Sequence, residues 1–349
     1  MTFEDHASST DWTFETEQSV PRLRARTAGI AKAAAAVYRG VPRQTLKNSI
    51  SCTGIGLHTG FRVSMTLHPA APGTGVVFRR TLPGGDVALI PALWTHVLDS
   101  RQCTVVGLRD SAVGASVATV EHLMAAVAAM GIDDLLIDID GPEVPAMDGS
   151  AAPFVFLIEC AGVVAQCGPA AAPRTAIRIL EPVTVSHNGA EATLAPTAGS
   201  GLSVSFEIEF AAAAIGRQAT AVKVSPSVFK DQVSRARTFG LVDDLPKMRA
   251  AGLARGGSLE NAVVVNGADV LNEGGLRYPD EFVRHKILDA VGDLALAGRP
   301  IIGAYTGKRA SHALNTGLLQ ALFAKPSAWI EVDALTGEPM DAEPLKATA

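Results

Sequence analysis

The chain has 349 residues, 48% of them hydrophobic and 19% charged, with a formal net charge of −5, so two domains can bury cores without disulfides. Scattered basic residues argue against a nucleic-acid surface, and no apolar run is long enough to span a bilayer. The four cysteines form no CxxC pair, which favours free thiols in the reducing cytoplasm over a zinc cluster or a disulfide framework.

Residues 1–42 are expected to form an N-terminal extension, whose first part is polar and acidic and whose residues 22–40 are basic and alanine-rich. A basic helix there could contact the anionic surface of the inner membrane transiently. A poorly ordered tail is the simpler interpretation. The segment lacks the apolar core of a signal peptide, which also favours a cytoplasmic location.

Residues 43–167 are predicted to form a first domain. From Arg43 onward, alternating apolar and polar residues with Gly-rich turns indicate short antiparallel strands. The segment GIGLHTG around His58 is not a dinucleotide-binding loop, because no βαβ unit surrounds it. His58 is a conceivable pocket residue, but a turn histidine is the simpler interpretation.

An alanine-rich helix is predicted from Thr119, as its cap, to Gly131. Glu121 and His122 then lie in its first turn. A glutamate there suits the helix dipole, whereas a charged histidine gains nothing from it, so a binding role for His122 stays open. A further helix is predicted from about Ser150.

A second domain, residues 174–345, again runs from strands to helices. Residues 165–175 are rich in alanine, proline and glycine and are interpreted as the interdomain linker. A helix with short strands around it is predicted after Gly240. Both halves therefore predict an α+β fold with antiparallel sheets.

The stretch Asp280–Leu296 is predicted to be a helix with Asp280 as its cap. On a helical projection at about 100° per residue, one narrow face carries His285, Lys286, Asp289 and Asp293. His285 and Asp289 are four residues apart and can bind one ion together. A solvated charged stripe is the alternative, so a metal site needs a third ligand from elsewhere.

His122 could supply that third ligand. Two histidines, one aspartate and a water form a catalytic zinc set with one open position, and iron(II) could occupy it as readily. Glu121, beside a ligand, could take a proton from the metal-activated water. His312 in KRASHALN is a candidate proton donor, and Asp293 could raise its pKa.

Five segments resemble, in order and composition, the UDP-3-O-acyl-N-acetylglucosamine deacetylases of lipid A synthesis: TVEHLMAA, DGPEVPAMDGSAAPFV, SRARTFG, LRYPDEFVRHKILDAVGDL and GAYTGKRASHALN. The similarity spans about residues 43–325. It implies a zinc amidase that removes acetate from UDP-3-O-acyl-N-acetylglucosamine, and we expect a monomer. It also implies two α+β domains whose helices pack face to face between outer sheets, with an insertion at about 240–268 forming an apolar passage for the acyl chain.

The resemblance also implies residue roles. The metal ligands would be His122, His285 and Asp289. The residues acting on the amide would be Glu121 as general base, His312 as proton donor, Asp293 as its orienting partner, Lys286 as a nearby positive charge and Thr238 as a hydrogen-bond donor to the oxyanion. Phe239 would line the substrate site, and Arg309 would contact the UDP diphosphate.

Three features depart from the family pattern, and the first is that residues 1–42 have no counterpart in it. Ser311 stands where a glycine commonly precedes the histidine, and could tighten that loop. Arg255 stands near the acyl passage where an apolar residue is frequent, unless its side chain faces solvent. Two other functions stay open: a zinc hydrolase of another acetamido substrate, and a non-catalytic binder of acylated nucleotide sugars.

Overall fold

The structure, a computed structural model, describes residues 41–109, 114–167 and 173–340. The expected N-terminal extension, except its last two residues, lies outside these ranges, as do the middle of the expected linker and the last nine residues. Helices and largely antiparallel sheets alternate along the described chain, so the predicted α+β class is confirmed. No helix of the described residues has the length and apolarity to cross a membrane.

The described residues of the first half form ten strands: β1 (Gln44–Leu46), β2 (Ile50–Ile55), β3 (Arg62–Pro69), β4 (Val76–Thr81), β5 (Val87–Pro91), β6 (Val97–Asp99), β7 (Val105–Gly107), β8 (Ser116–Val117), β9 (Leu135–Ile139) and β10 (Val163–Ala165). The main sheet has the order β2-β3-β9-β4-β5. Every second residue of β3 is buried, because one face of this sheet packs on the core.

The described residues of this half also form two α-helices, α1 (Glu121–Ala129) between β8 and β9, and α2 (Ala152–Ala161) between β9 and β10. The prediction of Thr119 as the cap of α1 is wrong. Thr119 has a φ of 55°, and its hydroxyl donates to Glu143 Oε1 at 2.8 Å instead. The Thr119 hydroxyl is therefore bonded to the carboxylate of Glu143 and does not cap the helix.

The second half contains the remaining strands and helices. The strands are β11 (Thr175–Ile179), β12 (Val183–His187), β13 (Ala190–Ala195), β14 (Leu202–Glu209), β15 (Arg217–Lys223), β16 (Phe239–Leu241), β17 (Val263–Asn266), β18 (Asp269–Val270), β19 (Ile301–Lys308) and β20 (Trp329–Asp333). The helices are α3 (Pro226–Gln232), α4 (Leu245–Ala250), α5 (Glu281–Ala295) and α6 (His312–Phe323). The seven-stranded sheet runs β12-β13-β19-β11-β20, with β14 on β19 and β15 on β14.

The sheets are not purely antiparallel, which corrects the prediction. β4 pairs with β9 in parallel, and β19 pairs in parallel with both β11 and β14. Parallel neighbours require a crossover connection, and the chain passes through α1 between β4 and β9 and through α5 between β14 and β19.

Helix α5 begins one residue after Asp280, as predicted, but Asp280 makes no capping hydrogen bond. Its carboxylate accepts from Arg284 Nε at 2.5 Å instead, so that part of the prediction is wrong. None of the residues of α5 is exposed, which excludes the solvated stripe. A Cβ added at Gly292 would overlap the carbonyl oxygen of Glu121, so α1 and α5 touch backbone to backbone.

The segment between β16 and β18 contains the predicted inserted helix, α4, and forms its own three-stranded sheet of order β16-β17-β18. It is tied to the first half of the chain by the backbone N–H of Arg255, which donates to His58 O at 3.1 Å. The boundaries of the two domains stay a prediction.

Candidate active site

Three buried side chains of metal-ligand type meet where α1 lies against α5: His122, His285 and Asp289. Asp289 Oδ1 lies 3.3 Å from His285 Nε2 and 3.5 Å from His122 Nε2. One ligand atom from each residue lies within 4.8 Å of the others. Two segments that are remote in sequence therefore converge on one small volume.

The hydrogen bonds of His285 show that this volume suits a cation. Its Nδ1–H donates to the carbonyl oxygen of Ala236 at 3.1 Å, and burial lowers the pKa of His285 to about 3. The neutral ring therefore presents its Nε2 lone pair to Asp289 Oδ1. That oxygen is buried and has no hydrogen-bond partner among the described residues. Two imidazole nitrogens and a carboxylate oxygen can hold a metal ion there.

Lys286 adds a positive charge beside the cluster, because its Nζ lies 2.6 Å from Asp289 Oδ2. Burial alone would lower the pKa of Lys286, but the adjacent carboxylate outweighs it and raises that pKa. Burial alone would likewise raise the pKa of Asp289, but His285, Lys286 and His312 hold it well below its usual value. Asp289 is therefore anionic, as a metal ligand must be.

Glu121 places a carboxylate next to the cluster. Its Oε2 accepts from the backbone N–H of Thr104 at 3.0 Å, and its Oε1 lies 3.9 Å from His312 Nε2. Burial raises the pKa of Glu121 above its usual value. A raised pKa brings a carboxylate closer to the range in which it can exchange protons near neutral pH.

His312, the first residue of α6, faces Glu121 across the site. Its Nδ1–H donates to Asp293 Oδ2 at 2.8 Å. Burial alone would lower the pKa of His312, but three nearby carboxylates, that of Asp293 foremost, raise it to about 9. Ser311 caps α6 by accepting from the backbone N–H of Leu314, so the serine found there fixes the start of the helix that carries His312.

Three residues of this network were not predicted from sequence. The hydroxyl of Thr104 donates to Asp293 Oδ1 at 2.6 Å, and Asn315 Nδ2 donates to Asp293 Oδ2 at 2.8 Å. Tyr305 in turn donates to Asn315 Oδ1 at 2.6 Å. Asn315 lies in the quoted segment SHALN three residues after the histidine, which was an available signal, whereas Thr104 lies in no motif.

A family model described as UDP-3-O-acyl N-acetylglycosamine deacetylase matches residues 43–324. The chain belongs to this deacetylase family. Curated proteins named UDP-3-O-acyl-N-acetylglucosamine deacetylase are similar over most of their length. One from Acidithiobacillus ferrooxidans is 46% identical over 84% of this chain and 93% of its own. One from Myxococcus xanthus is 48% identical over 84% and 90%, and one from Neisseria meningitidis 42% identical over 83% and 93%.

Of two further residues expected from the deacetylase resemblance, Phe239 borders the His122–His285–Asp289 cluster. The ring of Phe239 packs edge-on to His285, with centroids 6.1 Å apart, and to Phe282 at 5.0 Å. Thr238 is partly exposed and follows Ala236, the partner of His285, by two residues. Its backbone oxygen accepts from Val263 at 2.8 Å.

Arg309 lies elsewhere. Its guanidinium donates to Gly189 O at 2.8 Å and approaches Glu209 at 3.8 Å. No hydrogen bond or ion pair within the described ranges joins Arg309 to the cluster. Arg255 is exposed, as in the solvent-facing alternative, and its backbone N–H donates to His58 O at 3.1 Å.

The loop around His58 is held by Glu143. The two carboxylate oxygens of Glu143 accept from the backbone N–H groups of His58 and Thr59 at 2.9 and 2.8 Å. His58 is buried, and burial lowers its pKa against the opposing effect of Glu143. His58 lies in a turn, as in the simpler interpretation, but its side chain is buried.

Proposed function

We propose that this chain is a zinc-dependent deacetylase that hydrolyses the acetamide of UDP-3-O-acyl-N-acetylglucosamine in lipid A synthesis. The observation that carries this proposal is the buried His122–His285–Asp289 cluster, flanked by the Glu121 carboxylate and by the His312 imidazole. Relatives named for this activity, at 42% to 48% identity over most of the chain, support the choice of substrate.

The residues divide the chemistry of amide hydrolysis between them. When bound, zinc would lower the pKa of a water molecule and polarise the amide carbonyl. Glu121 would accept a proton from that water through Oε1, the oxygen that Thr104 does not hold. The water oxygen would add to the amide carbonyl carbon, and the C–N bond would then break as protonated His312 delivers a proton to the departing nitrogen. The products are acetate and the free amine of the sugar.

Four residues have supporting roles in this proposal. Lys286 would add positive charge where negative charge develops on the amide oxygen, and Thr238 would donate a hydrogen bond to that oxygen. Phe239 would form an apolar wall beside the reacting group. Contact between Arg309 and the diphosphate stays a prediction, since its guanidinium would have to leave Gly189 to make it.

We further propose that the chain acts as a monomer in the cytoplasm. Every residue in the cluster and its flanks comes from one chain, so a partner subunit is not needed to complete the site. All four cysteines are free thiols, which suits a reducing compartment. Contact of the N-terminal extension with the inner membrane stays a prediction.

The decisive experiment measures acetate release from acylated and unacylated UDP-N-acetylglucosamine by the purified chain, together with its bound metal. We expect about one zinc per chain and turnover that needs the acyl group. His285→Ala should lose the metal, whereas His187→Ala, at an exposed strand end, should keep it.

Other results identify the alternatives. Equal turnover of both sugars favours a hydrolase of another acetamido substrate. Binding of the acylated sugar without acetate release favours a non-catalytic binder. Equal zinc content in His285→Ala and the unchanged chain would contradict the assignment of the metal ligands.

A further inference from the structure

Thr104 contacts both carboxylates of the proposed acid–base machinery at once. It directly precedes β7 and is fully buried. Its backbone N–H donates to Glu121 Oε2 at 3.0 Å, and its hydroxyl donates to Asp293 Oδ1 at 2.6 Å. Its carbonyl oxygen accepts from the backbone N–H of Val120 at 3.3 Å. Each polar group of Thr104 is thus bonded to α1, to the residue before it, or to α5.

The hydrogen bond from the Thr104 backbone N–H occupies one of the two carboxylate oxygens of Glu121. A backbone N–H can only donate, and a protonated oxygen is a weaker acceptor than a carboxylate oxygen, so protonation of Oε2 would weaken this bond. The other oxygen, Oε1, is the one 3.9 Å from His312 Nε2. Thr104 therefore directs an incoming proton to the oxygen that faces the second proton-carrying group.

The hydrogen bond from the Thr104 hydroxyl to Asp293 helps to fix the orientation of the Asp293 carboxylate. Its Oδ2 accepts from His312 Nδ1 and Asn315 Nδ2, each at 2.8 Å. Its Oδ1 accepts from Thr104 alone among the described residues. With both oxygens held, the carboxylate cannot rotate freely, and the imidazole that donates to it keeps its direction.

We propose that Thr104 is a positioning residue of the deacetylation reaction, which aligns the Glu121 base and, through Asp293, the His312 acid. The proposal rests on the proposed function for its reaction, and on the hydrogen bonds alone for its geometry. Thr104 touches neither the cluster nor a reacting atom, so it acts only through the two carboxylates.

Two substitutions separate the hydroxyl from the rest of the side chain. Thr104→Val keeps the volume and the backbone N–H but removes the donor to Asp293. Thr104→Ser keeps the donor but removes a methyl group. A matched control is Thr316→Val, at a buried threonine whose hydroxyl has no hydrogen-bond partner among the described residues.

We expect Thr104→Val to lower kcat by roughly 10- to 100-fold, part of the contribution of a general acid, with KM and zinc content unchanged. Thr104→Ser should recover kcat to within about threefold of the unchanged chain, because the donor returns. The control should keep full activity. A change confined to kcat points to alignment of reacting groups, since a binding defect would raise KM.

A readout on the resting protein complements the kinetics. The Nδ1–H proton of His312 should give a downfield proton resonance, which Thr104→Val shifts or broadens and Thr104→Ser preserves. Crystal structures of the two variants should show a rotated Asp293 carboxylate only in Thr104→Val.

The outcomes are distinguishable. Unchanged kcat and an unchanged His312 resonance in Thr104→Val would overturn the proposal. So would equal losses in Thr104→Val and Thr104→Ser with a lowered Tm, since packing would then explain them. If the unchanged chain releases no acetate, the proposed function fails, while the resonance and the crystal structures still test the positioning role.

Discussion

The Nδ1–H of His312 donates to Asp293 Oδ2 at 2.8 Å, and this contact turns the opposite ring nitrogen toward Glu121 and Asp289. That nitrogen, Nε2, lies 3.9 Å from Glu121 Oε1 and 3.8 Å from Asp289 Oδ2. One imidazole is thus surrounded by three carboxylates. Their combined effect exceeds the cost of burial and raises the pKa of His312 to about 9, so its protonated form persists at neutral pH.

The first prediction is that Asp293→Asn moves the alkaline limb of the rate profile to lower pH. Activity that needs protonated His312 is lost as the pH rises through its pKa of about 9. Removing the negative charge of Asp293 lowers that pKa, so the loss begins at lower pH. The measurement is kcat against pH, normalised to each variant's maximum.

The control for this change is Asp269→Asn, at an exposed residue of β18 that lies outside the motif segments. Asp269→Asn should leave the alkaline limb of the rate profile at the same pH. An alkaline limb that stays in place in Asp293→Asn would show that another group supplies the proton.

The second prediction is that Glu121→Gln retains the metal but loses about 10²- to 10⁴-fold in kcat, since only the general base is removed. A glutamine still accepts the bond from Thr104 and keeps the side-chain volume. Metal analysis and acetate release on the same sample test this. Glu191→Gln on β13 is exposed and serves as the control. Turnover near that of the unchanged chain would refute the role of Glu121.

The narrow face of α5 that carries His285, Lys286, Asp289 and Asp293 could be predicted, because helical periodicity depends only on the local sequence. Four residues of one 15-residue helix fall on one face wherever the helix lies. Its meeting with Glu121 and His122 could not be predicted from spacing, because it depends on how two helices pack. Gly292 marks their closest approach, but one glycine in a helical pattern has several explanations.

The two capping hydrogen bonds that the structure lacks, to Thr119 and Asp280, are missing for one reason. Thr119 and Asp280 are residue types that favour helix N-termini, yet Glu143 and Arg284 bind their side chains. Charged partners give stronger hydrogen bonds than backbone N–H groups do. The role of Thr104 could not be predicted for a similar reason. Its partners Glu121 and Asp293 lie in other segments of the chain, and the local sequence QCTVV does not indicate them.

The last prediction concerns the packing that brings the two helices together. A Cβ at Gly292 would overlap the Glu121 carbonyl oxygen, so Gly292→Ala forces α1 and α5 apart. Overpacking of this kind lowers the free energy of unfolding by about 1–3 kcal/mol. Gly317→Ala on α6 is the control, because its added Cβ would meet no atom within 4 Å. It should stabilise the protein by up to about 1 kcal/mol, the helix preference of alanine over glycine.

The two alanine substitutions should therefore change the free energy of unfolding in opposite directions. Only Gly292→Ala should weaken zinc binding. His122 sits on α1 and His285 and Asp289 on α5, so a shift between the helices separates the ligands that each contributes. Denaturant unfolding gives the stabilities, and competition with a chelator gives the relative zinc affinities. If Gly292→Ala lowered stability while its zinc affinity stayed equal to that of Gly317→Ala, the two-helix origin of the metal cluster would be wrong.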